Sequence, residues 1–256
     1  MRILLVSNLF PPIHLGGYEL ACANVAAGLR HRGHDTRILT CWNPLPDGAE
    51  DPPWVSRRLD MALHLPHLPA EPGALAAVTH AALCSNFSNT AALLQELRGF
   101  RPDLVYLWNL VGVGGAALID LLNTARIPWV QHLMDRGPAD TALSTPRAVL
   151  GLYGTGTAAY RQGRLIAMSD HLVAEIEDLV GEPFARAPDI VPGWVDVGTP
   201  APHQPYLRDG VARFVAAGTV SSAKGTDLIL EASALLKAEG LAFAVDIYGA
   251  GEISRC

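Results

Sequence analysis

Two adjacent glycines, Gly16 and Gly17, separate an apolar run at the N-terminus from a helical stretch, and Tyr18 and Glu19 follow them directly. This pattern suits phosphate. Residues without a Cβ let backbone N–H groups approach an anion closely, and the positive end of a helix dipole favours its charge. In an open α/β sheet, the loop leaving the C-terminal end of a strand is also where ligands bind. The alternative is a simple tight turn in which Glu19 complements the dipole, worth about 0.3–1 kcal/mol. A second segment, Gly218–Thr226 (GTVSSAKGT), also follows a strand and opens a helix. It nearly matches a P-loop, but Ala223 replaces the second glycine and Gly225 replaces the Ser/Thr that would ligate Mg²⁺. Such a segment could hold a diphosphate through Lys224 and helix N–H groups without metal. The alternative for Lys224 is a solvated side chain, although a helix start disfavours a cation.

Two further segments carry weaker signals. Gly112–Ala117 contains GxGxxA before a helix, with Asp135 about 20 residues on, as in a dinucleotide fingerprint. Four residues separate the preceding strand from Gly112, which is looser than the tight turn that fingerprint needs. His132 and Met134 share one face of the run Pro128–Met134, and Asp135 sits at its C-terminal tip. A histidine in an apolar strand is commonly a satisfied core residue, whereas a carboxylate at a strand tip faces the ligand crevice.

These residues need a scaffold of alternating strands and helices, and the pattern supplies one. Arg2–Ser7, Asp35–Cys41, Asp103–Leu107, Pro128–Leu133 and Arg164–Met168 read as strands buried on both faces of a parallel sheet. A short strand is expected near Val55–Leu63 and another at Ala187–Val191. Helices are expected at about 17–31, 73–98, 113–125, 146–161 and 170–180. This alternation implies a doubly wound open α/β sheet with right-handed crossovers. Residues 1–195 read as one Rossmann-like domain and the proline-rich stretch 196–210 as a linker. Residues 211–256, with strands at 213–217 and 243–248 and a helix at 226–238, read as the incomplete start of a second domain.

Composition narrows the function classes. Half of the 256 residues are apolar and 17% are charged, with mean hydropathy +0.22, which excludes a disordered chain. The net charge of −6 supplies no basic field for nucleic acid. Seventeen arginines accompany only two lysines, Lys224 and Lys237. The four cysteines are too far apart for a CxxC pair, so reduced thiols and a cytoplasmic location are expected. The N-terminal apolar run is broken by Asn8 and Pro11-Pro12, unlike a signal peptide. The uncharged run Leu104–Ile119 contains three glycines and Asn109, so no transmembrane segment is expected.

Taken together, the segments resemble the retaining glycosyltransferases of family 4, whose GT-B fold has two facing Rossmann-like domains. The resemblance spans nearly the whole chain. It rests on Phe10-Pro11-Pro12-Ile13-His14-Leu15-Gly16-Gly17-Tyr18-Glu19, on RPDLVYLWNL (101–110) and on LIAMSDHLVAEI (165–176). IVPGWVD (190–196) and AAGTVSSAKGTDLILEA (216–232) complete it. It implies transfer of a sugar from a nucleotide-sugar donor to an acceptor hydroxyl with retained configuration, no cofactor and no bound metal. The acceptor would be a saccharide, a lipid-linked molecule or a small molecule, with peripheral attachment to the inner membrane face an alternative to a free cytoplasmic state. By the same resemblance, Gly16, Gly17 and Lys224 would bind the donor diphosphate. Tyr18, Glu19 and Asn109 would line the acceptor side, and His132 and Asp135 would be catalytic. Thr219 stands where the family commonly has Arg, Met134-Asp135 aligns with its His-Asp pair, and its ExxxxxxxE segment is not in the sequence. Little or no transferase activity is therefore expected of these 256 residues alone. A non-catalytic binding module, a nucleotide-dependent oxidoreductase using Gly112–Ala117 and a GT-B epimerase are the alternatives.

Overall fold

The computed structural model describes residues 1–62, 71–144, 156–194, 207–208 and 210–251. The chain divides into two units, Met1–Val195 and Asp196–Cys256.

In the first unit the uninterrupted apolar runs become strands because both faces of each are covered. β1 (Arg2–Val6), β2 (Asp35–Cys41), β3 (Val55–Leu59), β4 (Leu104–Leu107), β5 (Trp129–Leu133), β6 (Arg164–Ala167) and β7 (Asp189–Ile190) form one sheet. Its order is β3-β2-β1-β4-β5-β6-β7 and every pairing is parallel. The order reverses between β1 and β4, and the crevice beyond the strand ends at such a switch point is where open α/β sheets bind ligands.

Helices α1 (Gly17–His31), α2 (Pro72–Leu83), α3 (Phe87–Phe100), α4 (Gly115–Thr124), α5 (Gly137–Ser144) and α6 (Asp170–Val180) fill the crossovers. Cys22 and Ala26 of α1 pack with Ile3, Leu5 and Ile38 on one face. Leu93 and Leu97 of α3, Leu118 and Leu122 of α4 and Ile176 of α6 pack with Leu4, Val6 and Leu107 on the other. Each fully buried aliphatic side chain contributes roughly 1.5–3 kcal/mol of transfer free energy.

The helical segments expected over 73–98 are two helices, divided where the Asn86 side chain accepts the amide of Asn89 and caps α3 as a new start. Two elements differ from the sequence reading. The helix expected at 146–161 lies largely outside the described residues, and Gly156–Tyr160 forms a 3-10 turn. Helix α5 was not foreseen, although Asp135 Oδ1 accepts the Gly137 amide at 3.0 Å and Pro138 follows, both start signals.

In the second unit β9 (Val211–Ala217) pairs in parallel with β10 (Phe243–Tyr248), and α7 (Thr226–Ala238) connects them. Leu207–Arg208, inside the stretch read as linker, forms β8, which pairs antiparallel to β9.

One glycine fixes the packing between β5 and β6. A Cβ added at Gly163 would lie 2.3 Å from the Trp129 ring, and that ring is tethered by its indole N–H to Asn123 Oδ1 at 2.9 Å. Gly163→Ala is expected to destabilise the unit by about 1–3 kcal/mol, as overpacked cores do. A denaturant midpoint unchanged from wild type would contradict this.

Candidate functional site

The crevice is built on Asn8, which stands where β1 leaves the sheet. Its amide N–H donates to the Asn109 carbonyl at 2.7 Å, and its Nδ2 donates to the Val111 carbonyl at 3.0 Å. The Asn8 carbonyl accepts from the Cys41 amide and the Thr40 hydroxyl. One residue thus ties the ends of β1, β2 and β4 together. Sequence reasoning passed over it, although a polar residue ending an apolar run was the available signal.

From Asn8 the chain runs through Phe10-Pro11-Pro12 to the glycine pair. Arg57 of β3 clamps this loop. Its Nη2 donates to the carbonyls of Phe10 and Pro11 at 3.1 and 2.9 Å, and its Nε pairs with Asp51 at 2.8 Å. The Arg57 side chain is only 6% exposed, and a contact across 46 residues leaves no local trace in sequence.

The glycine pair opens α1. Gly16 has extended backbone, φ −166°, which any residue adopts, and a Cβ at Gly16 or Gly17 would have no atom within 4 Å. Neither the backbone conformation nor internal packing requires glycine here, and the space in front of the pair is open. Glu19 is buried and its Oε2 accepts from the amides of Leu15 and Gly16 at 3.2 and 2.9 Å. Glu19 therefore holds the loop closed from inside. The amides of Gly17 and Tyr18 have no hydrogen-bond partner among the described residues, as expected in the first turn of a helix.

Tyr18 joins this helix start to β5. Its hydroxyl donates to the His132 carbonyl at 2.7 Å and accepts from the Met134 amide at 3.2 Å. Burial, with the nearby Asp135 carboxylate, pushes the phenol well above its ordinary range, so it remains a neutral strut.

His132 lies inside an aromatic stack. Trp108 lies against it at 4.6 Å with an interplanar angle of 18°, Trp194 stands at 5.7 Å, and Tyr106 Oη is 3.0 Å from Nδ1. The residue is 2% exposed, and burial lowers its pKa to about 4. The imidazole is neutral at physiological pH.

Asp135 stands on the β5 tip, where burial raises its carboxyl and the Gly137 amide opposes the shift. With Tyr18, Trp108 and Asn109 it lines a small cavity of about 30 Å³. The structure therefore brings Tyr18, Asn109 and Asp135 onto one cavity, with His132 packed beside Trp108, and Gly16, Gly17 and Glu19 heading the helix that carries Tyr18.

The other glycine run does different work. The amides of Gly112 and Gly114 both donate to the Ala82 carbonyl, and that of Ala117 to the Cys84 carbonyl. A Cβ at Gly114, where φ is +76°, would come within 2.4 Å of the Asn86 amide nitrogen. These glycines seat α4 against the α2–α3 junction, which leaves their amides unable to cradle a dinucleotide.

In the second unit, Gly225 takes φ +71° ahead of α7, and the Thr226 hydroxyl accepts from the Ser221 amide at 3.2 Å. Lys224 ends the 3-10 turn Ser222–Lys224 and is exposed. Among the described residues, no group of His, Cys, Asp and Glu could hold a metal ion, and no helix is long and apolar enough to cross a membrane.

The family model for the glycosyl transferase 4-like domain matches residues 16–193, from the glycine pair to the residue before Trp194. Among solved structures, the glycosyltransferase of kitacinnamycin is 14% identical at a TM-score of 0.50, over 96% of this chain and 65% of that one. The glycosyltransferase SnogD from Streptomyces nogalater is 17% identical at a TM-score of 0.45, over 100% of this chain and 71% of that one. The chain thus spans just under two thirds of the length of the first. No curated protein matches the sequence. The fold class is α/β of the GT-B glycosyltransferase type. On the family match, which covers most of its length, this chain belongs to the glycosyl transferase 4-like domain family.

Proposed function

We propose that the protein acts in transfer of a sugar from a nucleotide-sugar donor to an acceptor hydroxyl, with retention and without a bound metal. The observation that carries the reading is the glycine pair at the switch-point crevice, free of any internal need for glycine and fronted by open space. A diphosphate in that space would meet the amides of Gly17 and Tyr18 and the dipole of α1. In the second unit, Lys224 beside a helix start is proposed as a further diphosphate ligand. In the reaction the bond from the anomeric carbon to the diphosphate breaks, a bond from that carbon to the acceptor oxygen forms, and the hydroxyl proton passes to a base. Asp135 is the proposed base, and His132, enclosed by aromatic rings, positions the β5 tip that carries it. Preorganised donors aimed at the leaving diphosphate are worth about 10²–10³ each in rate. Cys22 and Cys41, buried and in no disulfide among the described residues, fit the proposed cytoplasmic location.

Saturation-transfer NMR of this chain against a panel of nucleoside-diphosphate sugars tests the reading. At least one is expected to bind, and Gly17→Ala is expected to weaken it by about tenfold, a difference of about 1.4 kcal/mol. Because the new Cβ meets no protein atom, the variant should melt as wild type does. Equal affinity in both proteins would place the diphosphate elsewhere.

A further inference from the structure

The cavity beside Asp135 contains more polar function than the protein itself satisfies. Gln131, one strand position before His132 and 6% exposed, lines it, yet its buried Oε1 accepts no hydrogen bond among the described residues. Trp108 also lines it, and its buried indole N–H donates to nothing among them. A buried unpaired acceptor or donor costs about 1–3 kcal/mol. Two such groups of opposite sense, on two residues that line one cavity, call for a complement that both donates and accepts. The remaining wall combines apolar residues, Leu110, Ile119 and Ala116 among them, with the polar Tyr18, Asn109, Asp135 and Tyr160.

We propose that this cavity is a recognition subsite for a neutral hydroxyl group carried on a compact apolar skeleton, donating to Gln131 and accepting from Trp108. An ammonium has no lone pair for the indole N–H. A carboxylate has no proton for Gln131 and would face the Asp135 carboxyl. At about 30 Å³ the space takes one or two atoms of water size, so the hydroxyl enters while its skeleton stays at the mouth against the apolar residues. As the acceptor end of the site, the assignment rests on the glycosyl-transfer reading. As a binding site for alcohols it does not.

The experiment is a ¹H–¹⁵N NMR titration of the full chain, read at the Trp108 indole N–H resonance, with three probes of one skeleton: n-propanol, n-propylammonium and propionate. Propanol is expected to move that resonance saturably, and the two ions to do so at least tenfold more weakly. Gln131→Met keeps the length of the side chain and removes the acceptor, so it is expected to weaken propanol binding at least tenfold. Ala116→Leu, which fills the cavity and leaves both polar groups in place, is expected to abolish the response. Equal responses to the three probes, no saturable response to propanol (a water-filled void only), or a response unaffected by Gln131→Met would each overturn the proposal. Nucleotide-sugar binding is measured in the same samples. Alcohol binding without nucleotide-sugar binding would refute the glycosyl-transfer reading and keep the subsite, and the reverse would do the opposite.

Discussion

Trp108→Ala is expected to cost the first unit about 3–5 kcal/mol, the usual range for deleting a large buried aromatic. Trp108 is fully buried, and it makes ring contacts with Tyr18, Tyr106, His132 and Trp194. Its loss would open a void where α1, β4 and β5 meet. For a unit of this size the melting temperature should fall by on the order of 10 °C. Trp108→Phe is the informative companion, since it keeps a ring in the stack and removes an indole N–H that has no partner among the described residues. It should cost much less than the alanine variant. Equal costs for the two would mean that the indole N–H, rather than the ring packing, carries the stability.

The second large effect is a dependence of stability on pH. In the unfolded chain His132 titrates near 6.5, and burial lowers it in the fold to about 4. The unfolded state therefore binds the extra proton across that window. Stability is full above pH 6.5 and is lost progressively as pH falls towards 4, by about 3 kcal/mol at 1.36 kcal/mol per unit. His132→Phe keeps a flat ring against Trp108 and cannot titrate, so its stability should fall less steeply between pH 6.5 and 4. Urea unfolding at pH 7, 5.5 and 4.5 reads this directly. Parallel profiles for the two proteins would remove His132 as the cause.

The sheet was legible in sequence because strands buried on both faces leave uninterrupted apolar runs. Arg2–Val6 and Asp35–Cys41 are strands where the pattern put them. Gly33, at φ +82°, lies just past the end of α1, the conformation that makes glycine a stop signal. The glycine pair was legible as a candidate for the same local reason, since residues adjacent in sequence share one helix start. What escaped was everything made by distant pairs. The Tyr18 hydroxyl reaches a carbonyl 114 residues away, and Arg57 clamps a loop 46 residues back. Neither carries a periodic or spacing signal. Gln131 escaped for a different reason, since a glutamine within an apolar strand reads as one polar interruption until a cavity is found beside it. The second glycine run was legible as a weak match from its loose spacing to β4, but GxGxxA records only the spacing of glycines. Whether their amides are free depends on α2, whose Ala82 carbonyl takes two of them.

The central claim is that the α1 start, and not the α4 start, receives the donor's diphosphate. The direct measurement is a ¹H–¹⁵N titration of the chain with uridine diphosphate, followed at the backbone amides of both glycine runs. Saturable shifts at Gly17 and Tyr18, with Gly112, Gly114 and Ala117 unmoved, are the expected result. Shifts confined to Gly112–Ala117, with Gly17 and Tyr18 silent, would contradict it.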